Sequence, residues 1–143
     1  MNATVEKSLF TSLPAWSSSL LTAALSLFVV FVFAGIGYGI GRLLGFSYQE
    51  LESNAWYGNF LAHLLTGIAV AIMCYFICKA HPKSVWYTPI LCNAMTLWAG
   101  LGNYFIEGGS FVLYIVPFGI GWMLSIAASI WGAKGTKTVN YHE

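Results

Sequence analysis

The stretch LLTAALSLFVVFVFAGIGYGIG, residues 20–41, is apolar almost throughout and carries no charge. A helix needs about 20 mostly apolar residues to cross a bilayer. The uncharged interval around this stretch covers 8–41, and three further intervals cover 53–78, 84–106 and 108–133. The first apolar run exceeds the core of about 7–15 residues that is typical of a signal peptide. We therefore interpret it as a retained membrane span followed by three others.

The composition excludes a water-soluble domain. Of the 143 residues, 58% are hydrophobic and 8% are charged, and the mean hydropathy is +0.72. An ordinary soluble domain has about 25% charged residues. The net charge of +1 and the scattered Lys and Arg residues also provide no basic surface for nucleic acid. We expect the lipid bilayer, and not nucleic acid, as the surroundings of this chain.

Aromatic residues locate the ends of the spans, because Trp and Tyr favour the headgroup level of a membrane. Such residues stand at four run boundaries: Trp16, Trp56, Trp86 and Trp131. They predict helices at about 18–41, 56–78, 85–104 and 111–133. The connections between the last three helices are short, which favours antiparallel neighbours.

Basic residues predict the orientation, because cytoplasmic flanks are enriched in Lys and Arg. One side receives five of them (Lys7, Lys79, Lys83, Lys134 and Lys137), and the other receives Arg42 alone. The prediction is an all-α integral membrane four-helix bundle with antiparallel up-down topology and both termini cytoplasmic. Residues 1–143 then form one transmembrane domain, most simply in a bacterial cytoplasmic (inner) membrane.

Small residues mark the predicted packing surfaces, since close backbone approach holds helices together in lipid. The first span contains four glycines at alternate positions: Gly35, Gly37, Gly39 and Gly41. The fourth span has Gly121 and Ser125 four residues apart. Contacts within the chain and a face for self-association both remain open at the glycines of the first span.

Polar residues recur at helical spacing on the second and third spans and predict a seam between them. Its members are Asn59, His63 and Thr66 on the second span and Asn93, Thr96 and Asn103 on the third. Arg42 and Glu107 would flank the mouth of this seam. Polar groups in lipid face the protein interior, so the seam is either a pocket centred on His63 or a set of interhelical hydrogen bonds.

The sequence contains no recognisable catalytic or metal-binding set. Cys74, Cys78 and Cys92 lack the spacings typical of metal sites, and we interpret them as small apolar filler. His63 and His81 fall at different membrane depths, which argues against a haem held by two histidines. We therefore predict no enzyme activity, no metal and no cofactor.

Two function classes remain. The first is a small membrane protein that acts by interaction, either as an accessory or assembly subunit of a membrane complex or as a membrane-resident protective factor. Its partners would be other membrane subunits or a second copy. The alternative is an oligomeric small-solute or proton-linked transporter or channel lined by the polar seam. A redox or quinone-linked subunit has only His63 and the aromatic content in its favour.

Overall fold

The computed structural model describes residues 12–53, 55–106, 108 and 111–139. The side chains of 52–59, Asn103, 112–114 and 136–139 lie outside that description. The helices are α1 (Ala15–Leu43), α2 (Tyr48–Ser53), α3 (Ala55–Ala80), α4 (Thr88–Ile106) and α5 (Phe111–Val139), with a 3₁₀ turn at Pro82–Ser84. No strand occurs among the described residues. The prediction of an all-helical chain is confirmed.

Three helices of the described chain are long and apolar enough to cross a membrane. They are Ala15–Leu43, and the segments Phe60–Ala80 of α3 and Ile115–Gly135 of α5. Helix α4, which corresponds to the third predicted span, is not among them. It has 19 residues, and polar residues such as Asn93 and Thr96 reduce its apolar character.

The helices place small and hydroxyl-bearing side chains inside and large apolar side chains outside, which is the reverse of a soluble protein. Many of the interior positions carry small side chains or hydroxyl groups: Ser18, Ser19, Thr22, Ser26, Thr66, Ser125 and Ser129. Large apolar side chains point outward, and Phe31, Trp98 and Leu43 are 74%, 81% and 89% exposed. A water-soluble monomer rarely exposes an apolar surface of this extent. The arrangement suits a protein surrounded by hydrocarbon.

Helices α3 and α5 form the most extensive contact in the molecule. The backbones meet at two glycine positions. A Cβ atom on Gly67 would lie 2.9 Å from the Cα atom of Gly121, and a Cβ atom on Gly132 would collide with the carbonyl oxygen of Tyr75. Helix α1 packs against α3 and α4, and α4 also contacts α5.

Helix α1 is packed along only half of its length. Its buried residues run from Ala15 to Ser26, and beyond them only Gly41 is buried. Residues 35–40 are all exposed. The N-terminal end of this helix is also tied to the α3–α4 connection, because His81 Nε2 lies 2.9 Å from the carbonyl oxygen of Leu13.

Candidate functional site

The predicted seam residues meet around a small void that involves three helices. His63 and Thr66 of α3, Asn93 and Thr96 of α4, and Pro117, Phe118 and Gly121 of α5 contribute to its lining. The void measures about 10 Å³, which is close to the space that one water needs. Among the seam residues that the structure describes, the enclosed space is therefore too small for a solute.

The sequence missed the contribution of α5 to this seam. The ring of Phe118 lies between the other two helices: its centroid is 5.0 Å from that of His63. On its other side, a Cβ atom on Gly100 would collide with the same ring. His63 therefore packs against an aromatic ring of α5. The glycine at position 100 makes room for Phe118.

The described polar side chains of the seam bond to their own helices. Thr66 Oγ1 donates to the carbonyl oxygen of Ala62 at 2.8 Å. Asn93 Nδ2 donates to the carbonyl oxygen of Pro89 at 2.8 Å, and Thr96 Oγ1 donates to that of Asn93 at 3.0 Å. These bonds lie within α3 or within α4. These bonds of Thr66, Asn93 and Thr96 do not themselves join α3 to α4.

The predicted mouth of the seam is described only in part. Arg42 Nη1 donates to the carbonyl oxygen of Phe46 at 3.1 Å, and its guanidinium lies 4.3 Å from the centroid of the Tyr48 ring. Arg42 is thus occupied by the loop that follows α1. Glu107 and the side chains of Asn59 and Asn103 lie outside the described residues.

The predicted packing residues divide into two groups. A Cβ atom on Gly35, Gly37 or Gly39 would meet nothing within 4 Å, so these positions make no close contact with the described parts of the other helices. Gly41 is buried, and a Cβ atom there would collide with the side chain of Leu51 in α2.

The other group belongs to the contact between α3 and α5. Gly121 touches Gly67, and Ser125 is fully buried on the same face of α5. The Ser125 hydroxyl donates to the carbonyl oxygen of Gly121 at 2.9 Å, again within its own helix.

Two buried thiols, which the sequence interpretation treated as filler, belong to a core cluster formed by α1, α3 and α4. Cys74 on α3 and Cys92 on α4 are both fully buried and pack in this cluster with Ala15, Val70 and Ile77. A helix-spaced pair of cysteines on one span does not reveal which residue on another span it meets. Within the described chain, no group of three or more His, Cys, Asp or Glu residues is placed to hold a metal ion.

An apolar groove lies between α1 and α3. It has a volume of about 360 Å³, and its walls include Thr22, Leu25 and Val29 of α1 and Ala69 and Met73 of α3.

Comparison with protein-family models, with curated proteins and with solved structures finds no match. The site is therefore interpreted from its own chemistry alone.

Proposed function

We propose that this chain is a noncatalytic membrane protein that acts by binding another transmembrane helix, as an accessory or assembly subunit or a protective factor. The observation that carries the proposal is the exposed second half of α1. Its residues 35–40 are all exposed in the part of the chain that the structure describes. The first half of α1, from Ala15 to Ser26, is packed against α3 and α4.

The energetics of glycine support this proposal. In a helix interior each glycine is less favourable than alanine by about 1 kcal/mol in water. Close contacts within the described chain do not compensate this free-energy cost at Gly35, Gly37 or Gly39. A helix from another membrane protein could approach the backbone closely at Gly35 and Gly39, which lie one turn apart on one face. Such an approach offsets the penalty by van der Waals packing.

The proposal includes four membrane crossings. Although α4 is less apolar than the other long helices, its polar and apolar residues lie on different sides. Asn93 and Thr96 are buried, whereas Ile90 and Trp98 are 54% and 81% exposed. A helix that turns its amides inward can cross the bilayer within a bundle. We infer an antiparallel up-down arrangement of α1, α3, α4 and α5.

The proposed orientation rests on the distribution of charge. Leu13 touches His81, and Gly132 lies next to the backbone of Lys79, so the start of α1 and the ends of α3 and α5 are at one end of the molecule. That end carries Lys79, Lys83 and Lys134, and Arg42 lies at the opposite end of α1. The excess of Lys favours the cytoplasm for that end.

The interaction function is tested by purification in a mild detergent with a C-terminal tag, followed by mass spectrometry of the proteins that co-purify. We expect a partner in stoichiometric amount. The double variant Gly35→Leu/Gly39→Leu should release it, because the new side chains would occupy the space that the partner helix uses. Gly119→Leu is the matched control, since position 119 is also exposed with nothing within 4 Å. Equal recovery of the partner with both variants would contradict the proposed face.

A flux assay in liposomes distinguishes the rival function, transport, from the interaction function. The void among the described seam residues, about 10 Å³, is too small for a solute, so a pathway along this seam would need a second copy of the chain. The interaction proposal expects no flux from the purified chain at any pH. A pH-dependent flux that His63→Ala abolishes, at unchanged protein level, would favour the transporter.

A further inference from the structure

The groove between α1 and α3 is open along one side. Its rim includes Leu25 of α1 and Ile72 of α3, which are 50% and 52% exposed. The volume of about 360 Å³ lies in the range of small-molecule sites, roughly 300–1,000 Å³. Both walls belong to helices that are long and apolar enough to cross a membrane. In a bilayer the open side faces the acyl chains of the lipids.

The hydroxyl groups of the groove already use their hydrogens. Thr22, Ser26 and Thr66 line it, and each donates to a carbonyl oxygen of its own helix at a distance between 2.7 and 2.8 Å. The other described lining residues have apolar side chains: Leu25, Val29, Ala69, Val70, Ile72 and Met73. A polar ligand finds no hydrogen-bond donor among these residues, whereas an aliphatic chain needs none. The groove therefore favours a hydrocarbon chain.

The exposed positions of α3 form a stripe that leads from this groove to a lysine. Within the segment Phe60–Ala80 they are Leu61, Leu65, Ile68, Ile72, Phe76 and Lys79. Successive members are three or four residues apart, which keeps them on one side of the helix. Lys79 follows the rim residue Ile72 by about two turns, or roughly 10 Å along the axis.

The charges at this end of the molecule suit an anionic headgroup. Lys79, Lys83 and Lys134 are exposed there, and the described side chains at that end include no Asp or Glu. The exposed ring of Trp131 lies 5.6 Å from that of Tyr75, one turn before Lys79. Exposed Trp and Tyr rings mark the headgroup level of a membrane. Basic pockets between membrane helices bind the phosphates of anionic lipids.

We propose that the protein binds one anionic glycerophospholipid, with an acyl chain in the groove between α1 and α3 and its phosphate beside Lys79. Met73, at the end of the groove nearest the lysine, is six residues or roughly 9 Å from Lys79. Half of the hydrocarbon core measures about 15 Å, so an acyl chain of that leaflet reaches past Met73 into the groove. This site is separate from residues 35–40, where a partner helix is proposed.

The binding is tested with the intact chain in phosphatidylcholine vesicles that contain a trace of phosphatidylglycerol. The phosphatidylglycerol carries a photoreactive diazirine on one acyl chain, and labelled residues are mapped by peptide mass spectrometry after illumination. We expect label on 22–29 and 66–73, and unlabelled phosphatidylglycerol should compete for it better than added phosphatidylcholine. Label spread evenly over the exposed apolar surface, including Ile90 and Trp98 of α4, would overturn the proposal.

The variant Lys79→Gln tests the headgroup position. It should weaken the preference for phosphatidylglycerol over phosphatidylcholine about fivefold, the usual effect of one Lys near an anionic lipid surface. Lys134→Gln is the matched control, because position 134 lies about 200° around α5 from Gly132, which faces α3. That control should keep the preference. Equal losses in both variants would show that total charge, and not Lys79, selects the lipid.

The variant Ala69→Phe tests the acyl-chain position. The added ring should fill the groove and abolish the label on 22–29 and 66–73. Ala24→Phe is the matched control, since Ala24 is an exposed alanine of α1 that does not line the groove. If Ala69→Phe fails to fold, the competition experiment with the wild-type chain still decides the outcome. Unchanged labelling in folded Ala69→Phe would show that the acyl chain does not bind there.

Discussion

Helices α3 and α5 approach each other closely because their contact positions are glycines, which carry a hydrogen atom in place of a side chain. At Gly132 an added Cβ atom would collide with the backbone of Tyr75, which cannot rotate away as a side chain could. Gly132→Ala should therefore destabilise the protein by about 1–3 kcal/mol, the usual range for overpacking. The measurement is the unfolding free energy in mixed micelles, titrated with SDS.

The control for this prediction is Gly119→Ala on the same helix. Position 119 is exposed and has nothing within 4 Å of the added carbon atom. That variant should be neutral, or more stable by up to about 1 kcal/mol, because alanine is the better helix former. Similar losses from both substitutions would show that α3 and α5 do not meet at Gly132.

Thr66 tests how much the buried hydroxyl groups contribute. Its hydrogen bond goes to Ala62 in the same helix, so it does not join two helices. Thr66→Val keeps the shape and removes the hydroxyl, and should lower the unfolding free energy by about 0.6 kcal/mol or less. A loss above about 2 kcal/mol would mean that the hydroxyl holds another helix. The same SDS titration measures it.

Among the elements, the short helix α2 has the most explicit start signal. Ser47 and Glu50 form a capping box: the Ser47 amide donates to Glu50 Oε2 at 2.7 Å, and the Glu50 amide donates to Ser47 Oγ at 3.2 Å. Hydrogen bonds to the Glu50 carboxylate, first from the Ser47 amide and then from the Ser47 side chain, hold the pKa of Glu50 below its ordinary value. Leu51 then places α2 against Gly41 at the end of α1.

The lowered pKa of Glu50 predicts how α2 responds to acid. A depressed carboxyl pKa means that the stabilising bond is complete above the ordinary glutamate pKa, about 4.3, and is lost as the pH falls through the lowered value. The Ser47 amide resonance in micelle NMR should therefore titrate with a midpoint below about 4.3. In Glu50→Gln the resonance should not follow this transition, and Gln49→Ala should leave it unchanged. A midpoint at or above the ordinary value would contradict the capping box.

The sequence predicted the helices better than their faces. Apolar runs and boundary aromatics placed α1, α3, α4 and α5 within three residues of their ends, because both signals are local. The exception is the C-terminal end of α5, predicted at 133 and observed at Val139. The glycines of α1 show what was missing. Gly37 and Gly41 lie about 200° around the helix from Gly35 and Gly39, since successive residues turn by about 100°. Of these four glycines, only Gly41 contacts another described element. The spacing alone does not say which of the two glycine pairs makes such a contact.

The same limit applies to the candidate site. Helical spacing placed His63, Thr66, Asn93 and Thr96 around one seam, and the structure brings these four residues to one void. The helical spacing did not show that Phe118 closes that void or that Cys74 and Cys92 share one core cluster. Both contacts depend on which helices are neighbours, which is set by the crossing of α3 and α5 at Gly67 and Gly121. Such pairings between distant segments leave no periodic signal.

At the scale of the whole molecule, the decisive quantity is the number of crossings. Four crossings place both termini on one side of the membrane, whereas three would separate them. We expect green fluorescent protein to fluoresce at both termini. Alkaline phosphatase should be active only when it is inserted in the connection between α1 and α3 or in that between α4 and α5. Phosphatase activity at the C-terminus with fluorescence at the N-terminus would mean that α4 does not cross.

The hydroxyl groups that bond within their own helices also bear on how the protein is made. A helix released singly from the insertion machinery would already carry the bonds of Thr22, Thr66 and Ser125. These three hydroxyl groups would therefore be satisfied before the helices meet, and joining the other helices would require none of those bonds to break. Assembly can then follow insertion as a separate and reversible stage, in which α1 remains available to exchange neighbours until its small residues are covered.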